Sequence, residues 1–213
     1  MRISIITALG CMLCVATAYG ETKGTNQSGH EGLDHEIAAC MLLGNQEEIA
    51  LAQFAEQHAE HADVKEFAKA LVAAHTNAVA MIKKAAPEVA DLQLSAGKNG
   101  ATVAHEGQNH AAIGLLQQVK SECLSLTEKE LGEYKGAEFD QAFIGQQLGA
   151  HVGMLAQLRG SNSFASPELQ KVIAEGEKTT EAHMAAAKKI MTQLKADATK
   201  TARVGQRATA QSR

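Results

Sequence analysis

Residues 62–87, ADVKEFAKALVAAHTNAVAMIKKAAP, form the clearest helical stretch of the chain and put a histidine where a leucine is expected. At about 100° per residue, Val64, Phe67, Ala68, Leu71, Ala78 and Ile82 fall on one stripe, with His75 near its middle. Lys65, Glu66, Lys69, Thr76, Asn77 and Lys83 take the opposite side. Asp63 with Glu66 three residues later predicts the N-terminal cap, and Pro87 stops the helix. A helix with so polar a back needs a buried front, so it belongs to a bundle.

The rest of the composition agrees. The 213 residues suffice for one domain with a sizeable core, and 45% hydrophobic content with only 3% aromatic, no Trp and two Pro describes Ala/Leu-filled helices. The expected class is all-α. A net charge of -4 provides no basic field, so nucleic acid is not an expected partner.

Residues 1–20 read as a signal peptide: Arg2, an apolar run from Ile3 to Ala18, and small residues at Ala16-Thr17-Ala18 or Ala18-Tyr19-Gly20 for cleavage. The run is shorter than the roughly 20 apolar residues a membrane span requires, so no integral span is expected after signal removal. A periplasmic or secreted location follows. Cys11 and Cys14 lie within the signal, which leaves Cys40 and Cys123. In an oxidising compartment these two admit either a disulfide or a pair of buried thiols.

Residues 21–33 are Gly-, Ser- and Thr-rich and are expected as a flexible linker, ahead of a bundle over 34–195. A first helix from Asp34 to His61 carries Ile37, Cys40, Met41, Gly44, Leu51, Ala52, Ala55 and Ala59 on one stripe, with Glu48 at its centre and Glu47 at its edge. Beyond the His75 helix lies a long connection containing a loop over 92–102 and helical pieces at about 111–126 and 127–134. A connection of that length suits a crossover on the outside of an up-down four-helix bundle. The third main helix, Phe139 to Leu158, has a seam of Ile144, Leu148, Leu155 and Leu158 that His151 completes. Ser166-Pro167-Glu168 starts the fourth, whose apolar face of Leu169, Val172, Ile173, Ala187, Ile190 and Leu194 includes His183. Residues 196–213 are basic, lack an apolar stripe and are expected as a disordered tail.

Each main helix therefore brings one ionisable residue to its buried stripe: Glu48, His75, His151 and His183. Buried ionisable groups need partners, and inside a bundle those are each other, water or a metal ion. Imidazoles with one carboxylate suit Zn, Fe, Ni or Cu. Helical rise puts Glu48 and His75 in one layer, but leaves His151 and His183 about 12 Å out of step across their turn. Two separate pairs, or hydrogen-bonded core histidines, fit that arithmetic better than one site holding all four.

Glu48-Ile49 with Leu51, Val64-Lys65-Phe67-Ala68 leading to His75, Phe139-Asp140 leading to His151, and His183 together resemble the ferritin-like domain-of-unknown-function family 4142, predicted secreted, mostly periplasmic bacterial proteins. The resemblance spans about Asp34 to Leu194 and implies a ferritin-like four-helix bundle without an established activity. The chain departs from the pattern at Ala74, where an acid is expected, and in a long insertion around Gln108.

Weaker signals are His58 and His61 in HAEH, His105 and His110 around HEGQNH, and Met154 and Met184 beside the seam histidines. Solvated polar residues and core-filling methionines account for these. No Glu-x-x-His pair, GxSxG elbow, phosphate-binding Gly loop or HExxH is present, so di-iron, hydrolase and nucleotide chemistry have no support. Three functions remain: a non-enzymatic envelope bundle, a transition-metal binder for storage, buffering or sensing, and a redox enzyme using that metal.

Overall fold

The computed structural model describes residues 28–94 and 108–211, with side chains described for 33–94, 111–200 and 203. The expected signal, residues 21–27 of the expected linker, most of the expected loop over 92–102, and the side chains of His105 and His110 lie outside that set. Among the described residues there are helices and no strands. The five helices are α1 (Ser28–His58), α2 (Ala62–Ala85), α3 (Gln108–Gly132), α4 (Ala137–Ser161) and α5 (Pro167–Gln211), with 3-10 turns at Pro87–Val89 and Asn162–Phe164. None is long and apolar enough to cross a membrane.

Local chemistry sets the helix ends, though not always as expected. The cap of α2 is His61, whose Nδ1 accepts from the Asp63 amide at 3.2 Å, and not Asp63. Ser166 caps α5, its hydroxyl accepting from the Leu169 amide at 3.4 Å, with Pro167 first in the helix. Gly136 turns the chain from α3 into α4 at φ 57, a conformation that side chains with a Cβ resist. Thr127 starts nothing: the two expected helical pieces are one continuous α3. Helix α1 reaches back to Ser28 and α5 runs on to Gln211, through segments expected as linker and tail. Neither extension needs a new nucleus, because each adds turns to a helix already held by packing.

Side-chain contacts fix the directions. Asp140, near the start of α4, accepts from the amides of Glu60 and His61 at the end of α1 (3.1 and 3.0 Å), and Asp34 near the start of α1 accepts from the Ser166 amide beyond the end of α4 (2.8 Å). Helix α4 is thus antiparallel to α1 and, after the hairpin, to α5. α1 packs closely on α2, α4 on α5 and α2 on α5, whereas α1 and α4 meet sparsely. The α3 connection lies along α1 in the same direction, with Lys120 against Glu47 and Gly132 near Phe54.

The core of this helical bundle is split in two. One cluster, with Ala52, Ala55, Leu71, Phe139, Phe143 and Ile190, fills the end at the α1–α2 turn; the other, with Met41, Ile82, Leu158, Leu169 and Ile173, fills the opposite end. Between them is a layer of buried polar residues: Asn45, Glu47, Glu48, His75, Gln147, His151 and Thr180. Continuing the apolar seams through this level would have been simpler packing, so the layer needs a chemical account.

Candidate metal centre

His75 comes from the middle of α2, His151 from α4 and His183 from α5, and one ligand atom of each lies within 4.8 Å of the other two. Among the described residues this is the only such group of three or more His, Cys, Asp or Glu. Ring centroids are 5.6 Å apart for His75–His151, 5.3 Å for His75–His183 and 5.1 Å for His151–His183. His75 and His151 are buried and His183 is partly so.

The expected misalignment of His151 and His183 is not found: His151 Nε2 and His183 Nδ1 are 3.0 Å apart. The expected helix, Phe139 to Leu158, ends too early. Helix α4 continues into the 3-10 turn at Asn162–Phe164, so His151 lies about 21 Å from the end of its rod and His183 about 24 Å from the start of the next.

Neighbouring groups set the tautomers. His75 Nδ1 is 2.7 Å from Asn45 Oδ1, and Asn45 Nδ2 donates to the Met41 carbonyl at 2.7 Å, which fixes Oδ1 as the acceptor toward the imidazole. His75 therefore carries its proton on Nδ1 and presents a bare Nε2, which has no hydrogen-bond partner although buried. His151 Nδ1 faces the Gln147 carbonyl at 2.9 Å, so it too is the N–H and Nε2 is bare. Without metal, His183 Nδ1–H donates to that nitrogen; moving its proton to Nε2 would give the site a third lone pair. Acceptors behind the rings that aim the opposite nitrogens inward are how metal-ligating histidines are held.

Electrostatics favours the same state. Burial, then the neighbouring His151 and His183, pushes His75 down to about 3, and burial with the His183 charge pushes His151 down to about 4. His183 is lowered by burial. At neutral pH all three are uncharged imidazoles, the form that coordinates a metal.

A family model described as a domain of unknown function (DUF4142) matches residues 20–190, most of the chain. The chain belongs to the DUF4142 family. No curated protein and no solved structure matches it significantly.

Glu48, the fourth expected ligand of this DUF4142 chain, is buried as expected but stands beside the histidine group rather than within it. It hydrogen-bonds the Gln147 side chain, and its Oε2 has no partner. Burial, opposed by the Gln147 bond and helped by the Glu47 charge, raises its carboxyl to about 7. Glu47 is buried as well, where the sequence put it at the stripe's edge. The reason is α3: Lys120 Nζ reaches Glu47 at 2.7 Å, a partner no helical-wheel argument on α1 alone could supply. Asn45 and Gln147 were missed for a similar reason, since neither is apolar enough to mark a seam. Asn45 does precede Glu48 by three residues and so shares its face, which was the available signal.

Cys40 and Cys123 are half-buried thiols with no disulfide between them. Both line, with Glu48, His75, Met41 and Met154, a cavity of about 200 Å³ between the polar layer and the second apolar cluster. His58 stacks on Phe54 with centroids 3.9 Å apart and bonds its carbonyl at 2.8 Å, and His61 caps α2, so the HAEH pair is structural.

Proposed function

We propose that this DUF4142 protein is a transition-metal-binding bundle of the ferritin-like four-helix type, working in the periplasm or outside the cell, with His75, His151 and His183 as the ligands. The observation that carries the reading is the buried Nε2 of His75, which has no hydrogen-bond partner and lies, with Asn45 as the acceptor behind its ring, in the group formed with His151 and His183. A histidine kept only for packing would satisfy both nitrogens, as His151 does, since an unpartnered buried polar atom such as His75 Nε2 costs about 1–3 kcal/mol. Three imidazoles with a further position open suit Zn, Cu or Fe, and that arrangement is commoner in sites that exchange a ligand than in closed structural sites. Storage, buffering or sensing fits better than turnover, because among the described residues the one buried carboxylate beside the histidine group, Glu48, is not part of it. The non-enzymatic envelope reading is compatible with this one if metal is carried and not used.

Elemental analysis of the purified protein, followed by titration with Zn, Cu and Fe, tests the reading. One equivalent of metal, lost in His75→Ala and in His151→Ala, is expected. Absence of metal from the purified protein together with no saturable binding would refute it. Fractionation of cells making the full chain or one lacking residues 1–20 tests export.

A further inference from the structure

Sulfur is not spread evenly through this bundle. Cys40 and Met41 of α1, Met81 of α2, Cys123 of α3 and Met154 of α4 all line the cavity of about 200 Å³, and the other methionines of the described helices, Met184 and Met191, both belong to α5. Four helices therefore bring sulfur-bearing residues to one hollow. Methionine serves in cores to fill irregular gaps, but these methionines border a gap that stays open, and an open void forfeits the contacts that filling it would gain. Gly44 and Gly153 line the same hollow, and a Cβ added at either would meet no atom within 4 Å. Helix stability has been given up at both positions without any steric need, which leaves room where packing alone would have closed it.

Of the three histidines only His75 borders the cavity, and its Nε2 is itself enclosed, so the hollow adjoins the histidine group and is not part of it. The carboxylates on the wall are engaged or enclosed: Glu47 pairs with Lys120 at 2.7 Å, Glu175 lies exposed at the rim with Lys178 at 3.3 Å, and Glu48 Oε2 is buried. Thiolates by themselves also hold Zn, but thioethers among them single out a soft cation, copper(I). A monovalent ion is also the cheaper one to take out of water, since that cost rises with the square of the charge. We propose that the cavity is a copper(I) chamber, a second metal-binding place walled by Met41, Met81, Met154, Cys40 and Cys123 and distinct from the histidine group that it adjoins at His75. Binding at a thioether moves no proton; a thiol that joins it gives its proton to solvent, and one thiolate then balances the single charge of the ion. Lys120, on the same wall, favours that thiolate. Passage of copper onward to His75 rests on the metal-binding reading of the histidines, whereas the chamber itself does not.

The test titrates the full chain, reduced and free of oxygen, with copper(I) against the coloured chelator bicinchoninate, and X-ray absorption at the copper edge separates sulfur from nitrogen ligands. A sulfur-bound equivalent of copper(I) is expected in addition to the nitrogen-bound one, with Zn(II) competing only for the latter. Met41→Leu combined with Met81→Leu and Met154→Leu conserves volume and is expected to weaken the sulfur-bound equivalent at least about tenfold, with circular dichroism and the nitrogen-bound equivalent unchanged. Gly44→Leu, which fills the hollow, is expected to act in the same direction. His151→Ala is expected to lose the nitrogen-bound copper and keep the other. Copper with nitrogen neighbours alone, or sulfur-bound copper undiminished by the methionine changes and by Gly44→Leu, would overturn the chamber and leave the histidine site standing. Sulfur-bound copper that weakens in these variants, with no nitrogen-bound equivalent beside it, would support the chamber and overturn the histidine site.

Discussion

Acidification of the metal-free protein in the presence of a chelator gives a prediction that pits the histidines against Glu48. His75 and His151 titrate at about 3 and about 4 in the fold against 6.5 for an ordinary histidine. Below pH 6.5 the unfolded chain takes up these protons and the folded one does not. The stability they contribute is complete above 6.5 and is lost as pH falls toward the folded values. Glu48 has the opposite sign: its carboxyl is raised from 4.5 to about 7, so between those values the folded chain holds a proton that the unfolded chain releases, and acidification through that window stabilises the fold. Because the unfolded histidines are half protonated at pH 6.5, integrating at about 1.4 kcal/mol per proton per pH unit from pH 6.5 to 5 gives a cost of about 3 kcal/mol through the two histidines and a return of about 1.5 through Glu48. The net loss of about 1.5 kcal/mol corresponds to a fall in Tm of about 3–6 °C for a chain of this length. Glu48→Gln removes the compensating part, so its loss over the same interval should be about twice as large. Differential scanning calorimetry of both chains at the two pH values is the assay. A wild-type Tm independent of pH in this interval, or a Glu48→Gln slope no steeper than wild type, would show that these side chains do not sit neutral in a dry layer.

Four other outcomes are expected. Asn45→Ala frees His75 Nδ1 and should weaken metal binding about 10- to 100-fold in competition with a chelator, with little change in fold by circular dichroism. Asp140→Ala leaves the Glu60 and His61 amides unanswered at the α1–α2 turn and should cost about 1.5–3 kcal/mol in urea denaturation. Lys120→Met strands Glu47 and should destabilise by about 3–5 kcal/mol, whereas the double change with Glu47→Leu should recover most of that loss. Gly136→Ala forces a Cβ into a positive-φ position facing the Glu60 carboxylate and should lower stability by about 1–2 kcal/mol, seen as a lower urea midpoint at unchanged slope.

The helices were legible because their stripes are. Val64, Phe67, Leu71 and Ile82 on α2, and Leu169, Ile173 and Ile190 on α5, all lie buried where a 100° wheel puts them. The three histidines were legible by the same rule, as polar interruptions of apolar seams. What the wheel could not give was anything that depends on a second helix. Glu47 looks like an edge residue until α3 lies along α1 and brings Lys120 to it. Asn45 looks like a solvated amide until the ring it orients arrives from α2, and Gln147 until its side chain meets Glu48 of α1, its backbone carbonyl being what holds His151. The apparent gap between His151 and His183 arose from where the rod ends: α4 runs on to Ser161 rather than Leu158, and Asn162–Phe164 is a helical turn rather than a loop, each residue adding about 1.5–2 Å. The same dependence explains why the cavity left no trace in the sequence: Gly44 and Gly153 are about 109 positions apart in the chain, and only the sparse meeting of α1 and α4 turns two helix-weakening glycines into one hollow beside His75. A periodic pattern therefore specifies which residues face inward, while the chemistry of this polar layer is decided by which inward faces end at the same height.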